Sequence, residues 1–308
     1  MNYREYLASS PFWYKLLFVF FLMLLLLLLT SILGMAMVML VYQTGLQEVM
    51  KILDHPDPSN IGVIKLLQVI QTTGLFIIPP LIASYFLGAG ILSFLKMDTR
   101  PSYLSVLLVI FMMIIWIPVI NFTAGLNSRL TLPEALGGLE DKIVSLKDSY
   151  YYLTTLFLKA RSPVDLTVNI FIMAILPALG EELLFRGIFQ PLFAGLTRNI
   201  HWGIIITALL FSFFHFEFYG FLPRFLLGIL FGYLFIWTSS IWIPVLAHFV
   251  NNGIIVMYFF FIQPGTGSSK LDELGTRADL YFWLSMGGGI LLAALLFYHE
   301  RSRRLSVS

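Results

Sequence analysis

Leu16–Tyr42 reads LLFVFFLMLLLLLLTSILGMAMVMLVY, an apolar stretch without one charged residue. At 1.5 Å per residue, about 20 residues cross the hydrocarbon of a bilayer, so this stretch predicts a transmembrane helix. The apolar part of a signal peptide is only about 7–15 residues long and ends at a small-residue cleavage site. Here the run is longer and follows Arg4, Glu5 and Lys15, so its retention is expected. Further apolar segments lie near 67–95, 103–120, 167–193, 202–216, 219–238, 241–262 and 279–298. Together they predict an all-α polytopic membrane protein of about eight transmembrane helices. The segment near 202–216 is short for a crossing and is expected to be tilted, broken or shielded by neighbours.

The composition agrees. Of 308 residues, 58% are hydrophobic and 12% charged, whereas a soluble domain carries about 25% charged residues; an ordinary soluble globule, disorder and coiled coil are excluded. A net charge of +2 with no basic stretch interleaved with aromatics excludes a nucleic-acid partner and leaves membrane lipids as the surroundings. Cysteine is absent, so disulfides, thiolate metal sites and cysteine nucleophiles are excluded together. No internal repeat or linker appears, and residues 1–308 are read as one membrane domain. The polar stretch between Asn121 and Leu166 contains Leu136, Leu139, Ile143 and Leu146 at spacings of three and four. These predict an amphipathic interfacial helix despite Gly137 and Gly138, either a plain loop element or a cap over a cavity.

An ionisable group in hydrocarbon costs about 2.5 kcal/mol or more, so each needs a partner or a purpose. Three clusters fall in the late segments: ALGEELLFRG with Glu181, Glu182 and Arg186; FSFFHFE with His215 and Glu217; PVLAHFVNNG with His248, Asn251 and Asn252. Residues four apart share a helix face, so Glu182 can pair with Arg186 while Glu181 points about 100° away. A free carboxylate among apolar groups suits general-base work on water. His248 and Asn252, also four apart, would present an imidazole and an amide to one cavity, the donors that an oxyanion needs. Pro177 and Pro244 each precede a polar residue by four and remove a backbone hydrogen bond there. Taken singly, each cluster also fits plain packing: a buried ion pair, or imidazole and amide bonds pinning two helices. Glu217 and Arg224 are expected in an aqueous loop, with Glu217 alternatively at a cavity mouth.

The ordered set EExxxR (Glu181, Glu182, Arg186), FxxxH (Phe211, His215) and HxxxN (His248, Asn252) resembles the motifs of the CPBP family, the CAAX protease and bacteriocin-processing, or Abi, intramembrane endopeptidases. The resemblance covers a core of about residues 165–262. It implies that Glu181 activates water with help from His215, that His248 and Asn252 bind the oxyanion, and that Glu182 and Arg186 orient the first group. It also implies a multi-pass protein of a bacterial cytoplasmic membrane acting on a peptide or protein substrate, lipidated or not. The family carries a metalloprotease label, yet the same residues suit a metal-free glutamate mechanism. His₂Glu is a known zinc donor set, so zinc at Glu181, His215 and His248 stands as the alternative, although no HExxH is present. The favoured mechanism needs no cofactor. Two other functions compete: a proton- or ion-coupled transporter using the buried charges, and a non-catalytic immunity or scaffold protein of the same fold.

Overall fold

In the computed structural model, residues 3–88, 90–130, 133, 137–160, 162–262 and 274–307 are described. Nine helices among them organise the chain: α1 (Phe12–Tyr42), α2 (Ile61–Leu87), α3 (Tyr103–Ile115 and Ile117–Asn127), α4 (Gly137–Leu158), α5 (Pro163–Thr197), α6 (Ile200–Phe213), α7 (Phe221–Thr238), α8 (Trp242–Ile262) and α9 (Leu280–Val307). Six of the described helices are long and apolar enough to cross a membrane, and α3, bent by 43°, makes a seventh if taken as one span. The eighth expected span is α6, whose 14 residues reach only about 21 Å at 1.5 Å each. It is short, as its sequence predicts, and lies against α5 and α7.

Two boundaries differ from the apolar runs for reasons of chemistry. Helix α2 starts before the expected 67 because it includes Lys65, whose Nζ donates to Asn169 Oδ1 of α5 at 2.6 Å. A charge with a partner need not end a span. Helix α5 begins at Pro163 because Ser162 and Asp165 form a reciprocal capping box at its start. Helix α4 occupies the expected interfacial stretch; Ile143 and Leu146 lie on it, whereas Leu136 and the side chain of Leu139 fall outside the described residues.

Helix α5 is not a regular α-helix. Widened π turns at Phe171–Ile175 and Phe185–Phe189 interrupt it, each followed by a proline at the second residue of the next α segment, Pro177 and Pro191. Proline lacks the N–H and crowds the carbonyl four residues back, and a wider turn relieves both problems. Helix α2 repeats the pattern, with a π turn at Thr73–Ile77 ahead of Pro79 and Pro80.

Two apolar cores meet around α5 to α8. One joins Val19 and Leu22 of α1, Ala83 and Leu87 of α2, Leu183 to Phe193 of α5 and Phe211 of α6. The other joins Val109 and Met112 of α3, Leu227 to Leu234 of α7, Ala247 of α8 and Leu296 of α9. Helix α7 approaches α6 closely through Gly228 and Gly232, one turn apart: a Cβ at Gly228 would lie 2.9 Å from Ala208 Cβ, and one at Gly232 2.7 Å from Ile204 Cγ2. Small residues four apart let helix backbones meet in this way.

Candidate active site

The close α6–α7 approach exposes backbone carbonyls to α5, and α5 answers with two side chains one turn apart. Arg186 Nη2 donates to Gly228 O at 3.1 Å, and Gln190 Nε2 donates to Gly232 O at 3.1 Å. The Arg186 guanidinium is fully buried between the Phe211 ring at 4.8 Å and the Phe231 ring at 5.4 Å. Its Nη1 donates to Glu182 Oε1 at 3.0 Å, the i,i+4 pair expected from the spacing. That same oxygen lies 2.8 Å from His248 Nδ1 on α8. Glu182 Oε1 is thus shared by Arg186 and His248; the motif resemblance assigns Glu182 and Arg186 to orienting Glu181.

Glu181, one residue before Glu182, turns to the other side and lines a cavity of about 330 Å³ with Pro177, Phe211, His215, His248, Asn251 and Asn252. Its Oε2 is buried with no hydrogen-bond partner. His215 Nε2 and His248 Nε2 both stand 3.9 Å from that oxygen. On the far side of each ring, Nδ1 faces an acceptor: Phe211 O at 2.8 Å for His215 and the arginine-paired Glu182 for His248. A carbonyl or carboxylate there fixes a hydrogen on Nδ1, so each ring turns Nε2 toward Glu181, an acceptor when the ring is neutral and a donor when it is protonated. One carboxylate oxygen and two imidazole nitrogens thus converge on one small space. Two acceptors about 4 Å apart can share one water through hydrogen bonds of about 2.8 Å.

Asn252 also lines the cavity. One hydrogen of its Nδ2 goes to Met173 O at 3.2 Å, and its Oδ1 accepts from Asn251 Nδ2 at 3.1 Å. Met173 lies four residues before Pro177, so its carbonyl lacks the usual helical donor, and Asn252 uses it. An amide nitrogen has two hydrogens, so a second remains for the cavity.

All six sequence-predicted residues are brought into one cluster, together with Phe211. Met173, Gln190, Gly228, Gly232 and Phe231 were not foreseen, although the G-x-x-x-G spacing of Gly228 and Gly232 and the position of Pro177 were legible signals. Arg224 differs from its expected loop placement: it stands in the first turn of α7, paired through Nη2 with Glu217, and lines the cavity. Helix α4 lies along the same opening. Its Tyr150 and Thr154 line the main cavity, and Ile143, Leu146, Lys147 and Tyr150 line an adjoining one of about 230 Å³ against His215–Phe218.

Among the described residues, no group of three His, Cys, Asp or Glu side chains is arranged to hold a metal ion. Adjacent ligands of a tetrahedral zinc with bonds of 2.0–2.1 Å stand roughly 3.4 Å apart. At 3.9 Å from each Nε2, Glu181 Oε2 would have to close by about half an ångström on both sides to complete a zinc donor set.

Residues 163–254 match the model of a family described as type II CAAX prenyl endopeptidase Rce1-like. Over 97 residues the chain is 31% identical to the membrane-embedded CAAX protease MroQ of Staphylococcus aureus (strain USA300), covering 30% of this chain and 39% of that protein. Over 90 residues it is 28% identical to the uncharacterized protein YpbD of Bacillus subtilis (strain 168), covering 28% of this chain and 43% of that protein. The matched region thus spans about two fifths of the length of these curated relatives. No solved structure matches the chain. The matched segment contains every motif residue of the cavity, and over that segment the chain is similar to the Rce1-like type II CAAX prenyl endopeptidases.

Proposed function

We propose that the protein is an intramembrane endopeptidase in which Glu181 activates a water to hydrolyse a peptide bond of a membrane-associated substrate. The observation that supports this best is the buried, unpartnered Glu181 Oε2 facing the Nε2 atoms of His215 and His248 across a cavity. Water held by Glu181 and His215 gives a proton to Glu181 as its oxygen adds to the carbonyl carbon. A protonated His248, with Nδ1–H on Glu182, offers Nε2–H to the resulting oxyanion, and Asn252 offers its second Nδ2 hydrogen. Collapse of the tetrahedral intermediate breaks the C–N bond, and Glu181 returns the proton to the leaving amine. One water is consumed; a carboxylate and an amine are released.

No cofactor takes part in this scheme. Zinc is the second reading, favoured by the same convergence of two Nε2 atoms on a carboxylate oxygen, and it would reside on Glu181, His215 and His248. One tightly bound zinc per purified chain, with activity lost on its removal and regained on its return, would replace the metal-free scheme. The proposed setting is a bacterial cytoplasmic membrane, supported by the bacterial source of both relatives. The substrate is a peptide or protein, lipidated or not, reached from the surrounding lipid; no nucleic acid is involved.

The test uses protein in liposomes with membrane-anchored and lipidated peptides, wild type beside Asn252→Ala and His248→Ala. Loss of an oxyanion donor costs on the order of 10²–10³ in rate. Ion flux abolished by the same substitutions, with no peptide cut by any variant, would favour a transporter instead. Neither flux nor cleavage would leave a binding or immunity role.

A further inference from the structure

The mechanism above leaves one cation of the cavity unused. Arg224 lines the same space as Glu181 and His215, and its side chain is about four-fifths buried. Its Nη2 is tied to Glu217, itself largely buried, whereas Nη1 is buried with no hydrogen-bond partner. A second feature leaves room for the guanidinium. A Cβ at Gly220 would meet Nη1 and Cζ and push this end of the arginine aside. A buried guanidinium N–H without an acceptor is costly, so one beside a cavity is a ready donor to an incoming anion. Beyond it, Lys147 of α4 sits 4.8 Å over the Tyr219 ring and lines the adjoining cavity that shares His215 and Tyr150. The charges around this passage are Glu181 and Glu217 against Arg224 and Lys147. Because Glu217 holds only one edge of the Arg224 guanidinium, the other edge and Lys147 remain for a ligand.

We propose that Arg224 is a substrate-binding residue, taking a carboxylate of the peptide on one side of the bond to be cut. That carboxylate is either the free C-terminus of a short trailing segment or an acidic side chain near the bond. The proposal rests on the peptidase reading for its place in the reaction, but binding alone tests it.

The experiment compares three membrane-anchored peptides of one sequence: a free C-terminal acid, its C-terminal amide, and the amide with one Glu introduced beside the cleavage position. Equilibrium binding to Glu181→Gln protein and kcat/KM with wild type are measured for each. A charge-assisted hydrogen bond predicts a preference of about 10- to 100-fold for the acid form, or for the Glu form, over the plain amide. Whichever form wins identifies the source of the carboxylate. In Arg224→Gln the ratio falls to about one. The pair substitution Arg224→Gln with Glu217→Gln, which strands no charge, does the same, and Gly220→Ala lowers the ratio while keeping the arginine. Equal binding of all three peptides to the Glu181→Gln protein overturns the proposal, as does a preference that survives loss of Arg224. Carboxylate-dependent binding without cleavage by wild type would keep this proposal and sink the peptidase reading.

Discussion

Helices α1 and α5 are both long enough to cross a bilayer and both rich in leucine and phenylalanine, yet they meet opposite demands. Of the most apolar window of α1, 17% of residues are buried within the protein, against 61% for α5. Helix α1 faces lipid along most of its length, satisfies its backbone internally and runs unbroken over 31 residues. Helix α5 is enclosed by α2, α6, α7 and α8 and carries two carboxylates, a guanidinium and two amides into the interior. It interrupts its α-helical ladder twice with π turns, one of them around Arg186 and the other containing Met173, whose carbonyl Asn252 takes. Between these two helices, regular geometry goes with lipid contact and irregular geometry with the placement of polar groups.

The comparison predicts a gradient of effects. Arg186→Leu strands Glu182 in the interior and should cost about 3–5 kcal/mol, read as a large drop in thermal midpoint in detergent. A smaller loss in the Arg186→Leu, Glu182→Leu pair than in the single variant would support an uncompensated charge as the cause. Next comes Leu183→Ala on α5, fully buried in the first core, at about 2–5 kcal/mol. Gly228→Ala pushes α7 from Ala208 and shifts the carbonyl that receives Arg186, for about 1–3 kcal/mol. Pro177→Ala restores an N–H that competes with Asn252 for Met173 O; stability should hold while peptide cleavage falls several-fold, and unchanged cleavage would break the link between that proline and the site. Smallest is Leu33→Ala on α1, a residue 64% exposed to the surroundings, expected within about 0.5 kcal/mol. A Leu33 effect as large as that of Leu183 would show that α1 packs against a partner there and would undo the comparison.

Much of this was legible in the residues alone. Charge-free runs located the helices, because a bilayer admits few unpaired charges, and the same scarcity drew attention to Glu181, Glu182, Arg186, His215, His248 and Asn252. The 3.6-residue period paired Glu182 with Arg186 and turned Glu181 elsewhere. Periodicity within one helix could not reveal contacts between helices, so the bond from Glu182 to His248, 66 positions away, was unforeseen. Lys65 failed as a boundary signal because its partner, Asn169, lies 104 positions on. Arg224 was read into a loop for the same reason: its place depends on Gly220 and Glu217 folding around it. Prolines marked where α5 departs from regularity, but not that the freed carbonyl would be taken by an asparagine from α8.

The most direct test of the central claim is single-turnover cleavage of a bound, membrane-anchored peptide by wild type and by Glu181→Gln, with folding checked by thermal midpoint and peptide binding measured beside it. Removing a general base costs on the order of 10²–10⁴ in rate. The account predicts that loss with folding and peptide binding retained. Full cleavage by Glu181→Gln, with Glu182→Gln inactive, would contradict it and move the base to Glu182.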